Sequence, residues 1–236
     1  MDKAEVETNM LKAYPEYIKR ISTLIELCLK KAYKSKNSAE WIKNDDVRFT
    51  FYGKYINVLN ATRISLFQNI TFLSQPDWVD TYNKNFSIQD KKNDFIYLKE
   101  LDTHSRFSSF MGIASQFEAT TLIIIRHLKN KDVPCSDNYG NFLSDQLKLN
   151  EWKDFITIVR HLRNTIHNNG IFTKEDETIV FNELKYEFKN NKSVTLSWTE
   201  CFIIYQYLVE LADIVFHHEL VAKEDLIKDI VAGALA

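Results

Sequence analysis

Only five glycines and three prolines punctuate this chain of 236 residues. That scarcity is the strongest constraint on its fold. β-Sandwiches and α/β nucleotide folds turn the chain often and use many glycines to do so. Few breakers between long amphipathic stretches instead predict helices joined by polar loops. Hydrophobic residues make up 45% and aromatics 13% of the chain, enough to fill a sizeable core and too many for a disordered protein. No internal repeat, low-complexity tract or long linker divides the sequence, so residues 1–236 read as one domain.

Helical periodicity supplies the elements. Apolar residues recur at three- and four-residue spacing between Pro15 and Tyr33, at Ile18, Ile21, Leu24, Ile25, Cys28 and Leu29, with Pro15 suited to a first helical turn. A second pattern runs from about Arg48 to Leu73, with Tyr55, Ile56, Leu59, Ile64 and Phe67 as inward residues, and breaks at Pro76. Residues 77–100 read as a short helix and a loop, and a third long pattern spans Leu101 to Lys129. "NKDVPCSDNYGN" is a loop, followed by a short helix near Phe142–Leu147. Asn150 is placed to cap the next helix. The β-branched and aromatic stretches "ETIVFNELKYEF" and "SVTLSW", separated by "KNNK", predict a two-stranded hairpin within residues 178–197. Ser197 and Glu200 form a capping-box pattern opening a helix through "CFIIYQYLVELADIVF", and "KEDLIKDIVAGALA" reads as a last short helix. The expected fold class is mostly all-α: a bundle of about five main helices with a small hairpin insertion.

Thirty basic and thirty-two acidic side chains leave a formal charge of -2. That balance excludes global attachment to nucleic acid through phosphates, so any such contact must be a local site. The charged N-terminal "MDKAEVETNM" has no apolar signal core, and the run "TLIII" ends at Arg126, far short of the roughly 20 residues of a membrane span. No membrane association is therefore expected, and Cys28, Cys135 and Cys201, far apart without a CxxC pair, suggest reduced thiols in a cytoplasmic protein. Without a secretion signal, the N-x-S/T matches at Asn60, Asn69, Asn85 and Asn191 carry no meaning.

One stretch concentrates chemistry. In "RHLRNTIHNNG", residues 160–170, the helix from Glu151 presents Trp152, Phe155, Val159, Leu162 and Ile166 as an apolar stripe. At about 100° per residue, Arg160, Arg163, Asn164 and His167 fall on an adjacent arc roughly 100° wide. Asn168, Asn169 and Gly170 supply left-handed residues that end the helix. Basic residues also favour helix C-termini, where they complement the dipole and cover apolar surface with their stems. A solvated cap and a site therefore both fit this arc.

The stretch resembles the motif of the HEPN superfamily, compact helical bundles that include many ribonucleases, in which an arginine precedes a histidine by four to six intervening residues. Arg160 with six residues before His167 fits that spacing. Arg163-Asn164 has the favoured Arg-Asn dipeptide but only three residues before His167, so either arginine is a candidate. "RNTIHNNG" is also similar to versions in uncharacterised bacterial members. The strong resemblance covers about eleven residues; the rest of the chain agrees in being helical.

The resemblance implies a metal-independent endoribonuclease, of the toxin or antiviral kind, that uses the RNA 2′-hydroxyl as nucleophile and no cofactor. Such chemistry needs a base, an acid and positive charge on the phosphorane. His167 would be acid or base, since histidine ionises near pH ~6.5. Arg160 would grip the phosphate with its planar fork, Arg163 would add charge, and Asn164 would orient the phosphate or His167. One histidine cannot serve both sides of one phosphorus, so the resemblance implies a homodimer that brings two copies of this face together. His161 projects about 120° from His167 and is a poorer second group. An antitoxin-like partner belongs to the same expectation. The alternatives are a non-catalytic module binding a nucleotide or RNA phosphate, and a structural homodimer.

Other candidates are weaker. Asp213 with His217, His218 and Glu219 suggests a metal site only on paper, because adjacent histidines point apart. His127 reads as a helix C-cap, His104 carries no signal, and "FIIYQYLV" is a core stripe. No P-loop, GxGxxG, GxSxG or HExxH is present, so nucleotide hydrolysis, hydride transfer and zinc proteolysis have no support.

Overall fold

Amphipathic periodicity carries most of the chain into helix. The structure, a computed structural model, describes residues 3–38, 45–75, 77–85 and 94–229. In order these form α1 (Lys3–Ser38), α2 (Val47–Leu73), α3 (Trp78–Asn85), α4 (Asp94–Lys129), the single turn α5 (Tyr139–Asn141), α6 (Lys153–His167), strands β1 (Glu177–Phe181) and β2 (Leu184–Phe188), α7 (Trp198–His217) and the short α8 (Glu219–Ala222). The fold is a mostly α-helical bundle, with α1, α2, α4, α6 and α7 as its long members and one antiparallel hairpin.

α1 packs along α2, α2 along α4, and α7 against both α1 and α4. Ile21, Phe51, Tyr55, Leu59, Phe110, Ile113 and Leu208 are fully buried where these helices face one another. Each large apolar side chain so buried contributes about 1.5–3 kcal/mol relative to exposure. Gly112 permits the close approach of α4 to α2, since a Cβ there would lie 2.9 Å from Val58 Cγ1. Hydroxyls buried between α2, α4 and α7 are paired: Tyr55 donates to the Tyr205 carbonyl at 2.7 Å, and Tyr205 and Thr62 donate to Ser109 at 2.9 Å each. An unpaired buried hydroxyl would cost about 1–3 kcal/mol, so these bonds help set the register of α2, α4 and α7.

Several local expectations are corrected. α1 begins at Lys3, so Pro15 lies inside the helix, on an exposed face, and not in its first turn. Ile64 and Phe67 are 56% and 63% exposed and Leu29 is also outward, because the buried face of α2 runs through Thr62, Leu66 and Asn69. The two polar members of that face are acceptable inside because Thr62 and Asn69 reach Ser109 and Ser105. α4 starts at Asp94, before Leu101. Asn150 caps nothing: residues Asn150–Trp152 form a 3-10 turn with no side-chain capping bond, and α6 follows from Lys153.

Both strands of the hairpin come from "ETIVFNELKYEF". The turn is Asn182-Glu183, with Asn182 left-handed at φ 49, and Phe181 pairs with Leu184. "KNNK" does turn the chain, with Asn191 at φ 57, but it leads Ser193 back to pair with Ile171. The capping box of α7 forms as expected: Glu200 N–H donates to Ser197 Oγ at 3.2 Å and Ser197 N–H to Glu200 Oε2 at 2.6 Å.

The chain end also differs. α8 is four residues long, and the chain after it turns back to the start of α2, where Val47 N–H donates to the Ile227 carbonyl at 2.8 Å. The latch is Arg48, fully buried and bound to Asp46 at 2.6 and 2.8 Å and to the carbonyls of Val221 and Glu224 at 2.8 and 2.7 Å. His127, expected as a helix cap, instead contacts Glu224 at 2.8 Å, beside Lys131. The expected helix over the last residues lies partly outside the described part of the chain.

All three cysteines are free. Burial pushes the thiols of Cys28 and Cys201 up to about 12, which leaves them protonated near neutral pH. Among the described residues, Leu98–Lys129 is the one segment long and apolar enough by composition to cross a membrane, and 56% of its apolar window is buried inside the protein.

Candidate functional site

The amphipathic helix α6 positions every residue of the arginine–histidine stretch. Its broad inner face buries Phe155, Ile158, Val159 and Leu162 against the core, while Arg160 is half-buried and Asn164 and His167 are exposed. The helix stops where Asn169 (φ 56) and Gly170 (φ 80) turn left-handed, and Gly170 N–H reaches back to the Thr165 carbonyl at 2.8 Å. Asn168 keeps a negative φ of -92 and closes the last turn through its N–H. This left-handed exit is the Schellman arrangement, with asparagine in the position glycine usually takes. It throws Phe172–Lys174 back beside the helix end.

The two arginines have different fates. Arg163 is held by Glu118 of α4, Nη1 to Oε2 at 2.8 Å, with both side chains largely covered. The pair is a charge contact without a well-aligned hydrogen bond, since Arg163 Nε and Glu118 Oε2 are buried and lack a hydrogen-bond partner. Arg160 has no carboxylate partner among the described residues. Its guanidinium lies 5.8 Å from the ring centroid of Tyr139, and a Cβ on Gly140 would come within 3.3 Å of its Nη1. Burial, and after it the charge of Glu118, raise the Tyr139 phenol above its ordinary value, with Arg160 and Arg163 acting the other way. Tyr139 is therefore a neutral ring beneath Arg160, a cation–π support.

Asn164 and His167 share a cleft of about 160 Å³ with Asn168, Thr173 and Lys174, completed by His161, Thr165 and Phe172. That volume would hold roughly five waters at about 30 Å³ each, which leaves room for one phosphate group. Arg160 does not enter this cleft. It borders a smaller one with Gly140, Trp152 and Thr157. Arg160, Asn164 and His167 thus stand at positions i, i+4 and i+7 on a ridge between the two hollows.

His161 is a structural residue. It is 7% exposed, its Nε2 lies 2.8 Å from Glu177 Oε2, and its ring meets Phe172 and Phe188 edge-on at 5.1 and 5.0 Å. It pins the hairpin to α6. His217 contacts the Asp213 carbonyl at 2.8 Å, while the Asp213 carboxylate receives Lys31 at 2.7 Å and Tyr52 at 3.1 Å. Among the described residues, no three histidine, cysteine or acidic side chains gather as a metal site.

Sequence reading missed Glu118, Tyr139 and Lys174. Glu118 had a signal, a lone acid inside the apolar run of α4. Tyr139 and Lys174 had none, because a loop and the helix exit bring them to α6. Comparison with protein-family models, curated proteins and solved structures finds no match for this chain.

Proposed function

We propose that the chain is a metal-independent endoribonuclease of HEPN type, acting at the ridge of Arg160, Asn164 and His167. The observation that supports this reading is that Arg160 has no ion-pair partner among the described residues, while Asn164 and His167 are exposed beside a cleft that also carries Lys174. Arg160 is the motif arginine, because Arg163 is already engaged by Glu118.

In the reaction, a base removes the 2′-hydroxyl proton, the oxygen attacks phosphorus, and the 5′-oxygen leaves with a proton from an acid. The products are a 2′,3′-cyclic phosphate and a 5′-hydroxyl. Arg160 and Lys174 neutralise charge growing on the phosphorane, Asn164 orients a phosphate oxygen, and His167 carries one of the two protons. The second proton-transfer group comes from His167 of another copy, in a homodimer whose axis passes near the ridge.

Purified wild type and His167→Ala, incubated with mixed cellular RNA in EDTA, test the reading. Cleavage by wild type alone with cyclic phosphate ends is the expected result, together with a dimer in solution mass. Absence of cleavage by wild type would reject it. Retained phosphate binding lost in Arg160→Ala would then leave a non-catalytic phosphate-binding module.

A further inference from the structure

A separate cavity of about 430 Å³ opens where α1, α4 and the start of α7 meet. It shares no residue with the α6 ridge and is in the size range of small-molecule sites. Met10, Tyr14, Tyr17 and Trp198 give it apolar, aromatic walls. Tyr17 is itself supported from behind, its ring centroid 5.6 Å from those of both Trp198 and Phe202.

The polar groups select a charge. Asp102 is the acid of the cavity, and its oxygens are already covered: Trp198 Nε1 donates at 2.8 Å, Tyr14 hydroxyl at 3.2 Å and Arg106 Nη1 at 2.7 Å. Both of its oxygens are thus already engaged by donors of the protein. Arg106 keeps a buried Nε without a hydrogen-bond partner, and Lys99, one turn before Asp102 on α4, is exposed with no ion pair among the described residues. Arg106 offsets Asp102, so Lys99 is left as the uncompensated charge of the lining and makes the rim positive. Burial, and then the Asp102 charge, raise the Tyr17 phenol, so the ring stays neutral beside an anion.

We infer that this cavity binds a planar aromatic anion of the size of a free nucleoside monophosphate, with its ring against Tyr17 and its phosphate toward Lys99. An aromatic wall accepts any base by stacking, and a single lysine reads one phosphate as a point charge.

The test is calorimetric titration of the full chain with AMP, with adenosine and inorganic phosphate as comparison probes. One AMP per chain is expected. Tyr17→Ala should weaken AMP and adenosine alike by about tenfold, the scale of one lost stacking contact. Lys99→Glu should weaken AMP and leave adenosine unchanged. Ala13→Phe, which fills the cavity without removing a wall, should abolish both while circular dichroism stays native, and so covers the case in which Tyr17→Ala fails to fold. Arg160→Ala should change none of these values. Absence of saturable AMP binding at millimolar concentration, unaltered binding in folded Ala13→Phe, or loss of binding in Arg160→Ala would each overturn the assignment. The ribonuclease reading stands or falls apart from this result.

Discussion

Arg48 and Arg160 are both helix arginines, one in the first turn of α2 and one midway along α6, and they live opposite lives. Arg48 is 0% exposed, forms a two-point pair with Asp46 and donates to two carbonyls of the returning chain end. Arg160 rests on a tyrosine ring, half-exposed, without a carboxylate among the described residues. A saturated buried cation holds structure, because any other ligand would have to displace bonds already made. A supported but unpaired cation is available to an incoming anion. The contrast gives the α6 ridge its functional reading and the latch its structural one.

The largest test of this contrast is stability. Arg48→Met should cost about 3–5 kcal/mol in urea unfolding, because it strands the buried charge of Asp46. A loss below about 1 kcal/mol would erase the distinction. Arg160→Ala and His167→Ala should each change stability by about 0.5 kcal/mol or less. Their effect belongs in the cleavage assay, where losing a proton-transfer group should slow the reaction by about a hundredfold or more.

Arg163 sharpens the comparison because it lies between the two extremes. Arg163→Ala should destabilise by about 1–2 kcal/mol, since the largely covered Glu118 is left without its counter-charge. A double-mutant cycle with Glu118→Ala isolates that coupling. A cycle near zero would return Arg163 to the list of free phosphate ligands.

Acid should act on the latch. Burial works to raise the Glu224 pKa, but the hydrogen bonds and charges of Lys131 and His127 outweigh it and hold the carboxyl below its usual range. A depressed folded value contributes stability that is present above the unfolded pKa of about 4.3 and is lost as pH falls through the folded one. Melting temperature should therefore drop below about pH 4, and Glu224→Gln should flatten part of that drop. An unchanged acid limb in Glu224→Gln would deny the latch its titrating member.

What could be read in advance follows a physical divide. The α7 capping box was legible because both partners lie within one turn, and the α6 arc was legible because helical periodicity alone sets it. The hairpin turn was misplaced because Asn182-Glu183 has no glycine, whereas "KNNK" offered two asparagines as stronger turn residues. The core face of α2 was misjudged at Ile64 and Phe67 because Thr62 and Asn69 are acceptable inside only once serines of α4 are opposite them. The cleft was hidden for the same reason. Lys174 meets His167 through a helix exit, and Tyr139 meets Arg160 through a loop, neither of which is a local pattern.

The smallest predicted effect tests that helix exit. Gly170 adopts φ 80, yet a Cβ there would meet nothing within 4 Å. Gly170→Ala therefore isolates backbone strain from collision, and should cost about 1 kcal/mol in thermal unfolding. Gly170 also carries the hydrogen bond to Thr165 that turns the chain toward Phe172 and Lys174. If the turn merely strains and persists, Lys174 stays at the cleft and phosphate affinity is unchanged. If the turn rearranges, affinity should fall together with stability, as it would not in Arg160→Ala. Measuring both quantities on the one variant separates a cleft built by the exit of α6 from a ridge that stands on the helix alone.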